Sequence, residues 1–301
     1  MSAKILVTGS SGYLGSVLTE KLAQAGFDIL ALDVRKPNFS GAGKITWLEG
    51  DCSDTSVLRQ SLAKADIIIP LAALVGTPAC AKDPERAKHV NYEAIKLINS
   101  LRSPRQQVLF PMTNNGYSPK PGQTTADESC PFKTDSIYTL TKFQAEQDLL
   151  NKGNAISLRL ASLFGASPKF RWDLLVHTFV REALEKGTLK LFEGGFKRSF
   201  VHLADAVDAF VFSAQNFQKM RDQIYNVALA SANLTKQELA EEVRKQIPSL
   251  KIEMDLANQD PDKRDFFIST EKISKAGFNT KKTLPEGITE VIEAFKKLKG
   301  A

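Results

Sequence analysis

Cysteine is scarce in this chain, and the three cysteines that occur, Cys52, Cys80 and Cys130, are far apart in the sequence. None belongs to a CxxC pair, and their odd number leaves no complete set of bridges. This usage argues against a disulfide framework and against a zinc site, so no metal is expected. Unpaired cysteines fit a reducing compartment, and we expect a cytoplasmic protein.

Long hydrophobic runs are also missing. The longest mostly apolar stretch, residues 65–76, is too short to span a bilayer and contains Pro70. Residues 4–8 form a strand-like run without the apolar core and small-residue cleavage site of a signal peptide. We therefore expect no membrane partner.

The sequence has no internal repeat, no low-complexity segment and no block of like charge. Its 40 Lys and Arg residues and 34 Asp and Glu residues give a net charge of +6, but the two signs are interleaved along the chain. Interleaving favours solvated surfaces over nucleic-acid binding, while a basic balance suits a small anionic substrate such as a diphosphate. With 43% hydrophobic residues in 301, the composition is that of an ordinary globular protein with a large core.

What is present is an alternation of short apolar runs with amphipathic segments, which predicts βαβ units on a parallel sheet. Helices are expected at 13–25, closed by Gly26 as a C-cap, and at 84–102. Strands are expected at 4–8, 27–32, 45–48, 66–69, 108–112 and 155–160.

This rhythm changes after Gly165, where a helix at about 173–186 is followed by short strands. The predicted fold is α/β: a Rossmann-like doubly wound parallel sheet with a smaller C-terminal substrate-binding domain. Residues 1–165 form the expected NAD-binding domain, and residues 198–228 return to it. The expected substrate-binding domain takes residues 166–197 and 229–301.

A glycine-rich loop joins the first strand to the first helix, with the spacing GxxGxxG at Gly9, Gly12 and Gly15. A helix N-terminus offers free N–H groups and a positive dipole end to a pyrophosphate, and glycines permit the tight turn and the close approach. Such loops also occur as plain turns. The position of this one favours a dinucleotide site.

Asp33 ends the second strand, where a carboxylate can accept hydrogen bonds from the ribose hydroxyls of adenosine. It would repel a 2′-phosphate, which favours NAD over NADP, although Arg35 and Lys36 lie close by. Asp51 follows the third strand and can either reach the adenine or cap its own loop.

Tyr138 and Lys142 are spaced by one helical turn in a segment with helical periodicity, so both side chains project from one face. A cation beside a phenol favours the phenolate, which can act as a general base. Thr113 follows the fifth strand at the sheet edge where doubly wound folds bind ligands, and its hydroxyl can orient a substrate oxygen. An isolated Tyr–Lys pair of this spacing is common on solvated helix faces; the neighbouring signals favour catalysis.

At this point the chain resembles the extended short-chain dehydrogenases, the NAD-dependent epimerase/dehydratase family of nucleotide-sugar enzymes. The resemblance runs nearly end to end, and within the family it is nearest to the subgroup of GDP-manno-heptose 4-dehydrogenases of surface-polysaccharide pathways. The matching segments are TGSSGYLG at 8–15, ADIIIPLAALVG at 65–76, TNNGY at 113–117, YTLTK at 138–142, RLASLFG at 159–165, KRSFVHLAD at 197–205 and DPDKRDF at 260–266, with Asn91.

The resemblance implies a catalytic set of Thr113, Tyr138 and Lys142, with Lys142 also holding the nicotinamide ribose. Arg198 and Arg264 are implied to grip the diphosphate, and surface salt bridges are their alternative role. The implied cofactor contacts, besides Tyr138 and Lys142, are Gly9, Ser11, Gly12, Tyr13, Leu14, Gly15, Asp33, Asp51, Cys52, Leu71, Ala72 and Ala73. The implied substrate contacts are Val75, Thr113, Asn114, Ser162, Arg171, Arg198 and Arg264.

Several positions depart from the family pattern. The 4,6-dehydratases carry an Asp and a Glu after the catalytic Thr, whereas this chain has Asn114 and Asn115, and amides cannot transfer the proton that dehydration needs. Ser162 replaces an Asn, Pro70 a His, and Ser118 a Gly.

We therefore expect NAD-dependent oxidation of a GDP- or UDP-linked sugar at C4, as a dehydrogenase or as the first half of an epimerase cycle. The alternatives are a 4,6-dehydratase and a non-catalytic NAD-binding regulator on the same fold. The family also implies a homodimer.

Overall fold

The computed structural model of the chain describes residues 2–37, 39, 43–255 and 265–300. Its strands are β1 (Lys4–Thr8), β2 (Asp28–Asp33), β3 (Ile45–Glu49), β4 (Ile67–Pro70), β5 (Gln107–Thr113), β6 (Thr125–Ala126), β7 (Ala155–Leu160), β8 (Ser162–Phe164), β9 (Thr188–Phe192), β10 (Lys197–His202), β11 (Gln223–Val227), β12 (Asn233–Thr235), β13 (Lys251–Asp255) and β14 (Phe267–Ile268). Its helices are α1 (Tyr13–Gln24), α2 (Thr55–Leu62), α3 (Thr77–Lys82), α4 (Pro84–Lys88), α5 (Ala94–Leu101), α6 (Ile137–Lys152), α7 (Leu175–Lys186), α8 (Leu203–Gln215), α9 (Phe217–Met220), α10 (Lys236–Gln246), α11 (Glu271–Lys275) and α12 (Leu284–Lys299).

Seven strands form one parallel sheet in the order β11-β7-β5-β4-β1-β2-β3. Alternate residues of β1 enter two different cores: Ile5 and Val7 pack with α1 and α8 residues, and Leu6 packs with α2, α5 and α6 residues. Because helices cover both faces, the strands are apolar without alternation. This confirms the predicted Rossmann-like α/β class.

The strand order reverses between β1 and β4, because the chain builds outward through β2 and β3 and then returns to the other side of β1. Two adjacent strands whose connections leave in opposite directions open a crevice at their carboxyl ends. Thr8 and Pro70 are paired at those ends, so the loops that follow them flank the crevice.

Smaller sheets lie outside the central one: β12-β10-β8, β13-β9 and β14-β6. A further core packs α7, α10 and α12 around residues such as Phe179, Leu239 and Ile288. Of residues 198–228, α8 packs on α1 and β11 joins the central sheet, whereas β10 pairs with β8 and β12. The division into an NAD-binding and a substrate-binding domain stays a prediction.

Two predicted helices differ from the structure. The single helix expected at 84–102 is α4 and α5 separated by a π-helical turn, His89–Glu93. Asn91 in this turn binds the backbone of Leu74, accepting from its N–H at 2.8 Å and donating to its carbonyl at 2.9 Å. The helix expected from about 173 begins at Leu175, since Leu174 has an extended backbone and is the N-cap.

Among the described residues, no helix combines the length and the apolar character needed to cross a membrane.

Candidate active site

The glycine loop turns tightly against the strands of the sheet. Gly9 has φ +72°, and its N–H donates to the carbonyl of Leu32 at 2.9 Å. A Cβ on Gly9 would lie 2.6 Å from the backbone N of Ala72, and a Cβ on Gly15 would overlap the carbonyl oxygen of Gly9. The first and third glycines of the GxxGxxG spacing are therefore required by the backbone itself.

Helix α1 begins at this loop without a side-chain cap, since its N-cap is Gly12 and its first turn holds no acidic residue. The first N–H groups of a helix have no intrahelical partner, and together with the dipole they form an anion site. Gly9, Gly12, Tyr13, Leu14 and Gly15 all line one cleft of about 1610 Å³ at the carboxyl edge of the sheet. We call this space the cleft.

Asp33 is held at the end of β2 beside the loop. Its carboxylate accepts from the N–H of Ser11 and from the N–H of Arg35, each at 3.0 Å. Those two bonds orient the carboxylate and leave further lone pairs on both oxygens for ribose hydroxyls. The Ser11 hydroxyl donates to the carbonyl of Arg35, which closes the turn.

Asp51 caps its own loop, because its Oδ1 accepts from both the N–H and the hydroxyl of Ser53 at 2.8 Å. Cys52 next to it is buried; burial, reinforced by the nearby Asp51 and Asp33 carboxylates, raises the pKa of its thiol to about 12.

The loop after β4 supplies Leu71 and Ala73 to the cleft lining, while the N–H of Ala72 faces the Thr8 hydroxyl at 3.4 Å.

Tyr138 and Lys142 are placed by the start of α6. Ser136 and Thr139 form a reciprocal capping box, which fixes the first turn of the helix at Ile137. Both Tyr138 and Lys142 are buried, yet both line the cleft. A solvated helix face, the alternative for an isolated pair of this spacing, does not describe these two residues.

Lys142 lies in an environment that opposes its charge. Burial lowers its pKa to about 7, against the opposing effects of Glu146 one turn further along α6 and of Cys80. Its Nζ lies 4.2 Å from the centre of the Phe110 ring, a cation–π distance. A lysine of this kind changes its charge readily near neutral pH.

Thr113 ends β5, is buried and lines the same cleft. Its Oγ1 accepts from the N–H of Asn115 at 3.1 Å, and this bond fixes the turn that follows the strand. Asn115 lines the cleft, whereas Asn114 is buried behind it, with its N–H donating to the carbonyl of Leu160 at 3.2 Å.

The remaining predicted substrate contacts are divided. Val75, Ser162 and Arg171 line the cleft. Arg198 is buried in β10, donates to the carbonyl of Lys197 at 2.8 Å, and is not among the cleft-lining residues in the described part of the chain. Arg264 lies outside the described residues. The roles of both arginines stay predictions.

The cleft also contains residues that no sequence signal marked. The segment 165–174 between β8 and α7 contributes Lys169, Phe170 and Asp173, and the loop before α6 contributes Lys133. These residues come from irregular segments, where periodicity carries no information. Within the described ranges, no group of three His, Cys, Asp or Glu side chains is arranged to hold a metal ion.

Comparison with known proteins agrees with this geometry. Residues 5–228 match the model of the NAD dependent epimerase/dehydratase family. Since the match covers most of the chain, the protein belongs to that family, and its cofactor is NAD. The family resemblance seen in the motifs is confirmed, and the nearness to GDP-manno-heptose 4-dehydrogenases stays a prediction.

A 3-beta-hydroxysteroid dehydrogenase of Mycolicibacterium neoaurum is 24% identical over 225 residues, which are 71% of this chain and 61% of that protein. The chain thus spans about three fifths of the length of this relative. UDP-N-acetylglucosamine 4-epimerase from Methanobrevibacter ruminantium M1, solved with UDP-N-acetylmuramic acid, superposes with a TM-score of 0.86 at 20% identity, covering 99% of both chains. MoeE5, solved with UDP-glucose and NAD, gives a TM-score of 0.83 at 22% identity over 98% of this chain and 99% of MoeE5.

The residues at the cleft fit NAD. The uncapped start of α1 suits the pyrophosphate, and the backbone contacts that exclude a Cβ at Gly9 and Gly15 fix the loop in front of it. The fixed carboxylate of Asp33 suits the adenosine ribose.

Proposed function

We propose that this chain binds a nucleotide-diphosphate sugar, UDP- or GDP-linked, in the cleft and oxidises one of its hydroxyls, at C4. The enzyme is either a dehydrogenase or an epimerase that shares this first half-reaction. One observation carries the proposal: Thr113, Tyr138 and Lys142 line the same cleft as the glycine loop. NAD, when bound, accepts the hydride from the carbon that bears the hydroxyl.

The side chains divide the proton chemistry among them. Tyr138 takes the hydroxyl proton, because neighbouring cations favour its phenolate. The two cations are Lys142, which follows Tyr138 by one turn on α6, and Arg171, which interacts electrostatically with Tyr138. Thr113 orients the reacting oxygen, and positioning in a buried site supplies much of the rate.

Dehydration is the weaker alternative. Asn115 lines the cleft at a position where an acid would be needed, and its amide cannot donate or accept that proton. Asn114 has the same limitation and is buried. The proposal therefore stops at oxidation, with or without return of the hydride.

The substrate class rests on charge and on the solved relatives. The cleft lining holds the cations Lys133, Lys169 and Arg171 beside the catalytic set, together with the carboxylates Asp135, Asp173 and Asp265. Asp173 pairs with Arg171, so the two lysines and the remaining N–H groups of Arg171 are the donors that can bind a diphosphate. MoeE5 and the M. ruminantium epimerase were solved with UDP-sugars, which supports UDP as the first nucleotide to test.

The decisive experiment incubates the protein and NAD with a panel of UDP-, GDP- and CDP-sugars. Accumulation of NADH with a keto sugar identifies a dehydrogenase, and an isomer without net NADH identifies an epimerase. A 4-keto-6-deoxy product would identify the dehydratase. Tyr138→Phe is the paired variant: turnover that remains unchanged with a confirmed substrate would refute the assignment and favour a non-catalytic NAD-binding role.

We further propose a homodimer, in line with the family expectation, formed through the adjacent helices α5 and α6. Light scattering after size-exclusion chromatography tests it, because a monomer mass would refute it. The three cysteines are free thiols, which supports a cytoplasmic location as part of the same proposal.

A further inference from the structure

The segment 165–174 forms one wall of the cleft without being a helix or a strand. It follows β8 and precedes α7, and it contributes Lys169, Phe170 and Arg171 to the lining. Irregular backbone keeps a single conformation only when its polar groups have fixed partners. One histidine on α7 binds this segment at two places, Gly165 and Arg171.

His177 bonds to the segment through both of its ring nitrogens. Its Nε2 accepts from the N–H of Gly165 at 3.2 Å, and its Nδ1 lies 2.7 Å from the carbonyl oxygen of Arg171. An amide N–H can only donate and a carbonyl can only accept. Both bonds therefore require the neutral imidazole with its proton on Nδ1.

The His177 ring is itself fixed by packing. It is fully buried, its centroid lies 4.5 Å from that of Phe170 in a stacked arrangement, and Tyr13 meets its edge at 5.8 Å. Tyr13 belongs to the first turn of α1, and its hydroxyl donates to the carbonyl of Gly165 at 2.7 Å. The glycine-loop helix and the cleft wall are thus joined through Gly165.

Arg171 is the group whose position depends on this arrangement. Its guanidinium donates to both carboxylate oxygens of Asp173. Electrostatic interactions with Tyr138 and Tyr13 also raise the pKa of Arg171. Burial alone would lower its pKa, but Asp173 and the tyrosines raise it, so the side chain stays cationic. Two of its five N–H groups bind Asp173, so three N–H groups of this planar cation remain to bind phosphate oxygens.

We propose that His177 is a positioning residue: as a neutral Nδ1–H imidazole it holds residues 165–171 in one conformation and so places Arg171 for the anionic part of the substrate. We call the two hydrogen bonds of His177 to Gly165 and Arg171 the clamp. The substrate contact of Arg171 rests on the proposed function, whereas the clamp does not. His177 is not among the described residues that line the cleft, so in this proposal it acts only through the wall it holds.

The test compares His177→Phe, which keeps the ring packing but loses both hydrogen bonds, with His177→Asn, which retains one donor and one acceptor. His89→Phe is the matched control, because His89 is exposed and pairs with Glu93 outside the cleft. UDP is the probe, titrated calorimetrically onto the full-length protein saturated with NAD. We expect His177→Phe to weaken UDP binding about tenfold, with His177→Asn in between, and NAD affinity to change less than about twofold. With an active sugar from the panel, KM should rise more than kcat falls.

Two readouts separate the clamp from the proposed function. Long-range ¹H–¹⁵N spectra of labelled histidine should show His177 protonated on Nδ1, and hydrogen exchange of the Gly165 amide should accelerate in His177→Phe but not in His89→Phe. An Nε2–H tautomer, or unchanged exchange at Gly165, overturns the clamp. Faster exchange at Gly165 with UDP affinity unchanged from the wild type, or with no UDP binding by the wild type, overturns the placement of Arg171 while the clamp stands. Melting temperatures of all variants exclude global unfolding as the cause.

Discussion

The ammonium of Lys142 lies 4.2 Å from the centre of the Phe110 ring, inside the core that covers one face of the central sheet. A lysine at this depth is costly, because water is replaced by a ring, by the Glu146 carboxylate one turn away and by the thiol of Cys80. The burial of Lys142 one helical turn from Tyr138 therefore lowers the stability of the folded protein.

Replacing Lys142 by Met should therefore stabilise the fold while it removes activity. Lys142 is protonated below pH 10.5 in the unfolded chain but only below about pH 7 in the folded chain. The folded state therefore becomes less stable relative to the unfolded state as the pH falls from 10.5 to about 7. The full loss is at most about 5 kcal/mol, and lost contacts with Phe110 reduce the gain to about 1–3 kcal/mol at pH 7.

Urea unfolding at pH 7 and at pH 10 measures this effect, and the advantage of Lys142→Met should shrink at the higher pH. Lys186→Met, at the exposed end of α7, is the control and should show little change at either pH. A variant that is less stable than the wild type at pH 7 would contradict the burial argument.

His177 predicts a second pH dependence. Burial lowers its pKa to about 4, against the opposing effect of its hydrogen bond to the Arg171 carbonyl; the Arg171 charge lowers the pKa further and the Asp173 charge raises it, while the unfolded imidazole titrates near 6.5. As the pH falls from 6.5 to 4, His177 becomes protonated in the unfolded chain but stays neutral in the folded chain. The free energy of unfolding therefore falls in this window by at most about 3 kcal/mol.

His177→Phe should lack this component. The measurement is the free energy of unfolding at pH 7.5 and at pH 4.5, where the wild type should lose about 2–3 kcal/mol more than the variant. Other carboxylates titrate in the same range, and the difference between wild type and variant cancels them. Equal losses would show that the His177 imidazole is protonated in the fold.

The sequence predicted the central sheet well because its signals are local. Strands β1 and β7 have the predicted bounds, and the glycine spacing marked the start of α1 correctly, since Gly9 and Gly15 are fixed by their own backbone contacts. Thr113 lines the cleft for the same reason, since it ends a strand at the carboxyl edge of a parallel sheet, and Tyr138 and Lys142 reach the cleft together because they are one helical turn apart on α6.

The rest depends on partners distant in the chain. The π-helical turn in the predicted helix 84–102 contains Asn91, which binds Leu74, and the irregular segment before α7 is bonded to His177 at Gly165 and Arg171. Neither pairing leaves a pattern in the sequence. A single histidine in an amphipathic helix looks the same whether it clamps a wall or faces solvent.

The glycine loop gives a third prediction. A Cβ at Gly15 meets the carbonyl oxygen of Gly9 and nothing movable, so Gly15→Ala must displace the loop that forms the anion site. We expect NAD affinity to fall at least about tenfold, with a lower melting temperature. Gly195→Ala is the matched control, because a Cβ there has no atom within 4 Å. NAD binding that is equal in the two variants would show that the loop accommodates the methyl group.

The buried pair of Glu146 and Arg159 gives the last prediction. The two guanidinium–carboxylate bonds measure 2.6 and 3.0 Å, both side chains are almost fully buried, and the guanidinium carbon of Arg159 lies 5.0 Å from the Tyr117 ring centre. Arg159→Met leaves the Glu146 carboxylate buried without its cation and should cost about 3–5 kcal/mol.

The double variant Glu146→Gln with Arg159→Met removes both charges and should recover more than half of that loss in urea unfolding. It also removes the carboxylate that supports the charge of Lys142, whose pKa Glu146 raises against burial. The recovered protein should therefore be folded but poorer in turnover near neutral pH, with its activity changing along the pH profile rather than uniformly. If the double variant is no more stable than Arg159→Met alone, the cost lies in lost packing against Tyr117 and not in the unpaired charge.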